Sequence, residues 1–241
     1  MRPWAGLCSL LLFAGLLAGC SSGPSTGSTT MPAGSLVALA VKNASAAGWV
    51  HEIATTTGPG TSLQMTNDIG AQEGRQVIDS NGGHSTVLVL HGMAYINGDS
   101  TALTHYFGLP ISNPQDLAGH WISIRSSDPG YPTVSAAVTL RSDFQNVISG
   151  PFSKSSTVVV DGETLTAVHG FTEGSSGVKG VPATLYVTQG GTVLPVRLHA
   201  SAGRVSETTT WSHWGRSVSL ATPSQSIPIS TLSGSGSVTT T

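Results

Sequence analysis

The apolar positions at the start of the chain form two segments with different spacing. Residues 7–17 are a nearly continuous apolar run that follows Arg2 and leads into Leu17-Ala18-Gly19-Cys20. This run is shorter than a permanent membrane span and has the form of a secretory signal. Residues 35–47 instead predict one amphipathic helix, because their apolar side chains recur at helical spacing. These side chains are Leu36, Val37, Ala40, Val41 and Ala44.

Polar and apolar positions begin to alternate at Trp49, and this period predicts β-strands. In the first strand Trp49, His51 and Ile53 are expected to share one face, with Val50 and Glu52 on the other. Residues 87–90 are apolar at every position, which is typical of a strand covered on both faces. Strands are also predicted in this half of the chain at residues 63–69, 74–79, 85–90, 93–96 and 121–125.

Two further helices are predicted before the chain returns to strands. Asp99 can cap a helix over residues 99–107, and Gly150-Pro151 would end a helix over residues 133–148. The later strands have one apolar and one polar face, as in an antiparallel sheet with one side in water. The pattern therefore predicts a β-dominated α+β fold in which the helices bury the apolar sheet face. These later strands are predicted at residues 156–160, 164–171, 183–188, 193–200, 205–211 and 217–221.

The small residues before Cys20 resemble the bacterial lipobox. This resemblance implies that Cys20 is lipidated and becomes the new N-terminus, which would hold the protein on the extracytoplasmic face of the cell membrane or envelope. The alternative is an ordinary signal peptide that is cleaved near Gly19 and leaves Cys20 free. Either cleavage removes Cys8, so no internal disulfide is expected in the mature chain.

Composition divides the chain into four parts. Residues 1–19 are predicted to be the signal peptide, 20–33 the lipidated cysteine with a flexible tether, 34–229 one folded domain, and 230–241 a disordered tail. Loss of 19 residues, including Arg2, leaves 222 of the 241 residues, with nine of the ten basic side chains against twelve acidic ones. The resulting formal charge of −3 has no basic stripe, which argues against nucleic acid as a partner.

The sequence offers little that is typical of a catalytic or metal-binding site. Ser176 and Lys179 match S-x-x-K, but they lie in a Gly-rich segment and not at the start of a helix. The eight histidines lack the spacing of a metal site such as HExxH. We therefore expect no metal, no cofactor and no enzymatic activity. The histidines are His51, His84, His91, His105, His120, His169, His199 and His213.

The order of several motifs resembles the LppX/LprG-type lipoproteins of actinobacterial cell envelopes, within the wider LolA/LolB-like group. The motifs are Met93-Ala94-Tyr95-Ile96-Asn97-Gly98-Asp99, Gly119-His120-Trp121-Ile122, Val160-Asp161-Gly162-Glu163, Leu194-Pro195-Val196-Arg197 and Trp214-Gly215-Arg216. The resemblance implies a curved antiparallel half-barrel sheet of about ten strands with short helices over its concave face. It also implies a carrier that binds acyl chains of lipids or glycolipids between sheet and helices, with an envelope transport protein as a partner.

Such a cavity would be lined by apolar side chains of the strands and helices. A solid core explains the same residues equally well, so both interpretations stay open. Two other functions also stay open: an envelope protein-interaction or sensor module with a filled core, and a surface hydrolase. The candidate wall residues are Val41, Ile53, Met65, Val87, Val89, Leu103, Phe107, Val138, Phe144, Leu185, Val187, Leu194 and Val196.

Overall fold

The computed structural model describes residues 30–105, 114–140, 144, 147–172 and 180–232. The helices in these ranges are α1 (Ala33–Ala46), α2 (Ser100–His105), α3 (Pro114–Leu117), α4 (Tyr131–Ala136) and α5 (Ile229–Leu232). The strands are β1 (Trp49–Gly58), β2 (Thr61–Gly70), β3 (Gly74–Ser80), β4 (Gly83–Leu90), β5 (Met93–Gly98), β6 (Ile122–Arg125), β7 (Ser149–Val160), β8 (Glu163–Phe171), β9 (Pro182–Thr188), β10 (Pro195–Ala202), β11 (Val205–Ser212) and β12 (Ile227–Pro228). The signal peptide, Cys20 and most of the tether lie outside the described residues.

The described strands form one open, curved sheet in the order β12-β6-β5-β4-β3-β2-β1-β11-β10-β9-β8-β7. All neighbours are antiparallel except β12, which runs parallel to β6. Two meanders therefore meet where β1 pairs with β11 in the middle of the sheet. The expected β-dominated α+β fold, with a curved antiparallel sheet and short helices over its concave face, is confirmed.

The helices cover one face of the sheet, which we call the inner face. We call α1 to α4, together with the described residues between α4 and β7, the roof. Two apolar clusters lie under the roof. The first inner cluster comprises Leu36, Val37, Ala40, Ala44, Val50, Ile69, Leu140, Phe144, Val147, Ile148, Val168, Ala183, Leu185, Val187, Val193, Leu198, Ala200 and Trp211. The second inner cluster comprises Val87, Val89, Ala94, Ile96, Leu103, Leu117, Ile122, Ile124, Val134 and Val138.

Strand β4 is covered on both of its faces, as its continuous apolar sequence predicts. Val87 and Val89 belong to the second inner cluster, whereas Leu88 and Leu90 pack on the outer face with Tyr95. Leu220 also packs on this outer group. Residues 217–221 do not form the predicted strand. Leu220 packs on the outer face of the sheet, but the backbone of this segment does not pair with a strand.

The predicted continuous helix over residues 133–148 is interrupted after Ala136, although Leu140 is again helical and its carbonyl accepts the N–H of Phe144 at 3.5 Å. Helix α4 ends at Ala136, Thr139 forms a bridge with Gly70, and β7 begins at Ser149. This connection leads from β6, beside one edge of the sheet, to β7 at the opposite edge. It must cross the inner face, whereas a 16-residue helix would extend only about 24 Å. The interruption after Ala136 lets the chain place Val138 in the second inner cluster and Phe144 in the first.

The C-terminal boundary also differs from its prediction. Residues 230–232 were expected to belong to a disordered tail, but they complete helix α5. Ile229 and Leu232 pack against the second inner cluster, and this burial explains why the ordered domain extends further. Residues 233–241 lie outside the described residues.

Asp99 caps helix α2 as predicted. Its carboxylate accepts the backbone N–H of Ala102 at 2.8 Å and that of His84 at 2.7 Å. These two hydrogen bonds, the first being the stronger influence, hold the pKa of Asp99 below its ordinary value. Gly83 permits this contact, because it has a φ of +115° and a Cβ there would lie 2.4 Å from Asp99 Oδ1.

Removal of this cap should lower stability in a pH-dependent way. We expect Asp99→Ala to lose about 1 kcal/mol of unfolding free energy at pH 7, while Asp99→Asn retains most of it. Because the folded pKa of Asp99 is lowered, its ionic contribution exists above the ordinary pKa and disappears as pH falls through the folded value. Urea titrations of the wild type and Asp99→Asn from pH 7 to pH 3 should show the difference between their unfolding free energies shrinking towards the acidic end. A constant difference across this range would contradict the assigned role.

Candidate functional site

Eight of the predicted wall residues, seven of them buried and one partly buried, lie on the inner face or in the roof above it. Leu185 and Val187 of β9 and Phe144 of the roof belong to the first inner cluster, against which Val41 of α1 is partly buried. The second inner cluster contains the other four, and it joins two strands of the sheet to two segments of the roof. These four are Val87, Val89, Leu103 and Val138.

The other predicted wall residues lie elsewhere. Ile53 is 39% exposed on the outer face, because the inner face of β1 carries Val50, Glu52 and Ala54. Leu194 and Val196 are only half-buried and lie outside both clusters, since an irregularity between Pro195 and Arg197 changes the alternation of β10.

Two wall residues remain. Met65 lies on the inner face, paired with Ala54 and Ile78, and is half-buried. Phe107 is outside the described residues.

A row of polar side chains crosses the inner face between the two apolar clusters. Trp211, Glu52, Asn67 and Gln76 are paired in register on β11, β1, β2 and β3, and the row continues to Val87 on β4. All four side chains are less than a tenth exposed. We call these four residues the polar row. The sequence analysis missed it because the polar residue of each strand looks solvent-facing until the register is known.

Glu52 is the centre of the polar row. Its Oε2 accepts the indole N–H of Trp211 at 2.8 Å, and its Oε1 accepts an N–H of the Asn67 amide at 2.5 Å. Both side-chain oxygens of Glu52 therefore accept a hydrogen bond from a neighbour in the polar row. Trp211 also packs against Phe144 with ring centroids 5.4 Å apart, and Phe144 lies 5.5 Å from Trp214. The polar row is thus joined directly to the first inner cluster.

Two cavities that the structure describes lie away from the inner face. One, of about 480 Å³, is at the strand ends and is lined by Trp49, Glu73 and His91 among others. The other, of about 360 Å³, lies on the outer face beside His169, Thr184 and His199.

The histidines follow no arrangement typical of a metal centre. Within the described ranges, no three His, Cys, Asp or Glu side chains are placed to hold a metal ion. His51 and Arg75 both pair with Asp68 on the outer face, at 2.8 and 2.7 Å. Their pairing accounts for the burial of Asp68, which sequence reasoning would place at the surface. Among the described helices, none has the length and apolar character needed to cross a membrane.

The architecture, a curved open sheet with short helices over one face, is an LppX/LprG-type fold, and likeness to the solved structure of LprF supports this fold. LprF from Mycobacterium bovis has a TM-score of 0.50 and 16% identity, with 79% of this chain and 96% of that chain covered. Lipoprotein LppX from Mycobacterium tuberculosis has a TM-score of 0.47 and 21% identity, with 78% and 99% covered. At these identities the likeness concerns the fold alone. No protein-family model and no curated protein sequence matches the chain.

Proposed function

We propose that this protein is a membrane-anchored lipoprotein that binds acyl chains of lipids or glycolipids against the inner face, for carriage or transfer in the cell envelope. The observation that carries the proposal is the pair of apolar clusters under the roof of an open sheet. Lipidation of Cys20 would supply the anchor. No catalytic step is part of the proposal.

The short helices of the roof support the idea that a bound acyl chain can replace their contacts with the sheet. Helices α2, α3 and α4 have six, four and six residues. Helices this short are not stable by themselves in water, so they depend on apolar contacts with the sheet. An acyl chain can replace those contacts, because each buried CH₂ contributes about 0.8 kcal/mol. A long chain would thus provide on the order of 10 kcal/mol of gross transfer energy, from which the ordering costs are subtracted.

Lipid binding is tested on the anchored full-length protein extracted from its host. We expect native mass spectrometry to detect a lipid adduct, and a fluorescent fatty-acyl probe to bind saturably. Val87→Phe places a larger side chain on the inner face and should lower the affinity for the probe about tenfold. An added large side chain in a packed site costs about 1–3 kcal/mol of free energy. Ile53→Phe places the same ring on the outer face and should leave binding unchanged.

The outcome that contradicts the function is a folded wild-type protein that neither carries lipid nor binds the probe. The burial of seven of the thirteen predicted wall residues favours one second candidate in that case, namely an envelope protein-interaction or sensor module with a filled core. Crosslinking in cells would then identify a dominant protein partner.

A further inference from the structure

Two buried side-chain oxygens on the inner face have no hydrogen-bond partner within the part of the chain that the structure describes: Asn67 Oδ1 and Ser85 Oγ. Asn67 is 3% exposed and Ser85 is fully buried. A buried polar atom without a partner costs about 1–3 kcal/mol, and folded proteins contain few of them. Such atoms therefore suggest a position where another molecule supplies the missing hydrogen bond.

The orientation of the Asn67 amide is fixed by its neighbour. Its Nδ2 donates to Glu52 Oε1, so the amide oxygen cannot exchange places with the nitrogen without setting two acceptors against each other. Glu52 is in turn held by the indole N–H of Trp211. The polar row consequently presents a fixed acceptor at Asn67 Oδ1, and not a group that could also donate.

The position of Asn67 connects this acceptor to the proposed ligand. Asn67 is on β2, between the strands that contribute most of the first inner cluster and those that contribute the second. An acyl chain lying along either cluster would bring its polar end to the polar row. The group that arrives there must donate a hydrogen bond, and it must be compatible with the Glu52 carboxylate beside it.

From this geometry we infer that Asn67 Oδ1 accepts a hydrogen bond from a hydroxyl group of the bound lipid, which makes the protein selective for hydroxyl-bearing neutral lipids. The inference rests on the proposed function and specifies its ligand class. A lipid without a donor leaves Asn67 Oδ1 unpaired. A fatty-acid carboxylate has no hydrogen to donate, so its oxygens would face the acceptor oxygens of Asn67 and Glu52 without forming a hydrogen bond.

Three ligands with the same acyl chain separate these cases. Monopalmitoylglycerol has free hydroxyls, methyl palmitate has no donor, and palmitate is anionic. For the wild-type protein, displacement of the fluorescent acyl probe should rank monopalmitoylglycerol first, about five- to tenfold ahead of methyl palmitate, with palmitate last. One net hydrogen bond corresponds to a ratio of this size.

Variants assign the selectivity to Asn67. Asn67→Leu removes the acceptor at similar volume and should make monopalmitoylglycerol and methyl palmitate equal, with little effect on methyl palmitate itself. Gln64→Leu is the matched control, because it replaces an exposed amide on the same strand and should preserve the ratio. If Asn67→Leu does not fold, Asn67→Ala removes the same oxygen without adding bulk and has the same expected result.

The outcomes distinguish this inference from the proposed function. If no acyl ligand displaces the probe, or the probe itself does not bind, the proposed function fails. If all three ligands bind with equal affinity, or if the preference for monopalmitoylglycerol survives in Asn67→Leu and Asn67→Ala, lipid binding stands and the inference about Asn67 is overturned.

Discussion

Replacement of Phe144 by alanine is expected to lower the free energy of unfolding by about 3–5 kcal/mol, towards the upper end of that range. The ring is fully buried and belongs to the first inner cluster. It also contacts the rings of Trp211 and Trp214 at centroid distances of 5.4 and 5.5 Å. Aromatic pairs contribute about 0.5–1.5 kcal/mol beyond the area they bury, so the substitution removes two such pairs as well as the apolar contact.

Phe152→Ala provides the matched control for this substitution. Phe152 lies on β7 and packs against the same cluster, but it is only half-buried. We expect it to cost about 1–2 kcal/mol, because much of its surface already contacts water. Urea unfolding of both variants at pH 7 would measure the difference. Similar losses for the two variants would show that Phe144 does not fix the roof to the sheet.

Much of the fold could be predicted because each strand carries its own alternation. The period of apolar residues identified α1 over residues 35–47 and most strands within a few residues of their observed ends. Strand β4 was identified as covered on both faces because four consecutive apolar residues cannot all point to one side. The fold class follows from such local patterns, which do not depend on distant parts of the chain.

The connection from α4 to β7 could not be predicted from local spacing. Its apolar residues recur at intervals that fit a helical stripe, yet they serve two different clusters on opposite halves of the sheet. The same spacing also suits an interrupted path, in which α4 ends at Ala136, Thr139 bridges to Gly70, and a separate helical hydrogen bond joins Phe144 to Leu140. Only the strand order, which places β6 and β7 far apart, distinguishes these alternatives.

The polar row shows a second limit of sequence-based reasoning. In β1 the alternation is clear, but both faces of the strand contain apolar residues. The acidic residue Glu52 made its face look solvent-exposed, although that face is the buried one. The apolar neighbours Val50 and Ala54, which lie on the same face as Glu52, could have indicated that this face is buried. Strand register decides which residues lie beside Glu52, and the sequence of a single strand does not encode it. In this register the neighbours are Asn67, Gln76 and Trp211.

Removal of the Glu52 carboxylate should have the other large effect on stability. We expect Glu52→Ala to lower the free energy of unfolding by about 3–5 kcal/mol, because a buried donor left without an acceptor costs about 1–3 kcal/mol and two donors are affected. Trp211 Nε1 and one N–H of the Asn67 amide would lose their acceptor inside the protein. Glu52→Gln keeps an acceptor oxygen of the same size and should cost only about 1–2 kcal/mol.

The control is Glu207→Ala on the neighbouring strand β11, where the side chain is exposed and a change within about 0.5 kcal/mol is expected. Urea unfolding of the three variants, with the near-ultraviolet circular dichroism of the tryptophans as a second signal, measures both the loss and the release of Trp211. If Glu52→Ala proved as stable as Glu207→Ala, the polar row would not hold the Asn67 amide in a fixed orientation. Asn67 Oδ1 could then be exchanged with Nδ2, and a ligand would meet a donor where the structure now presents an acceptor.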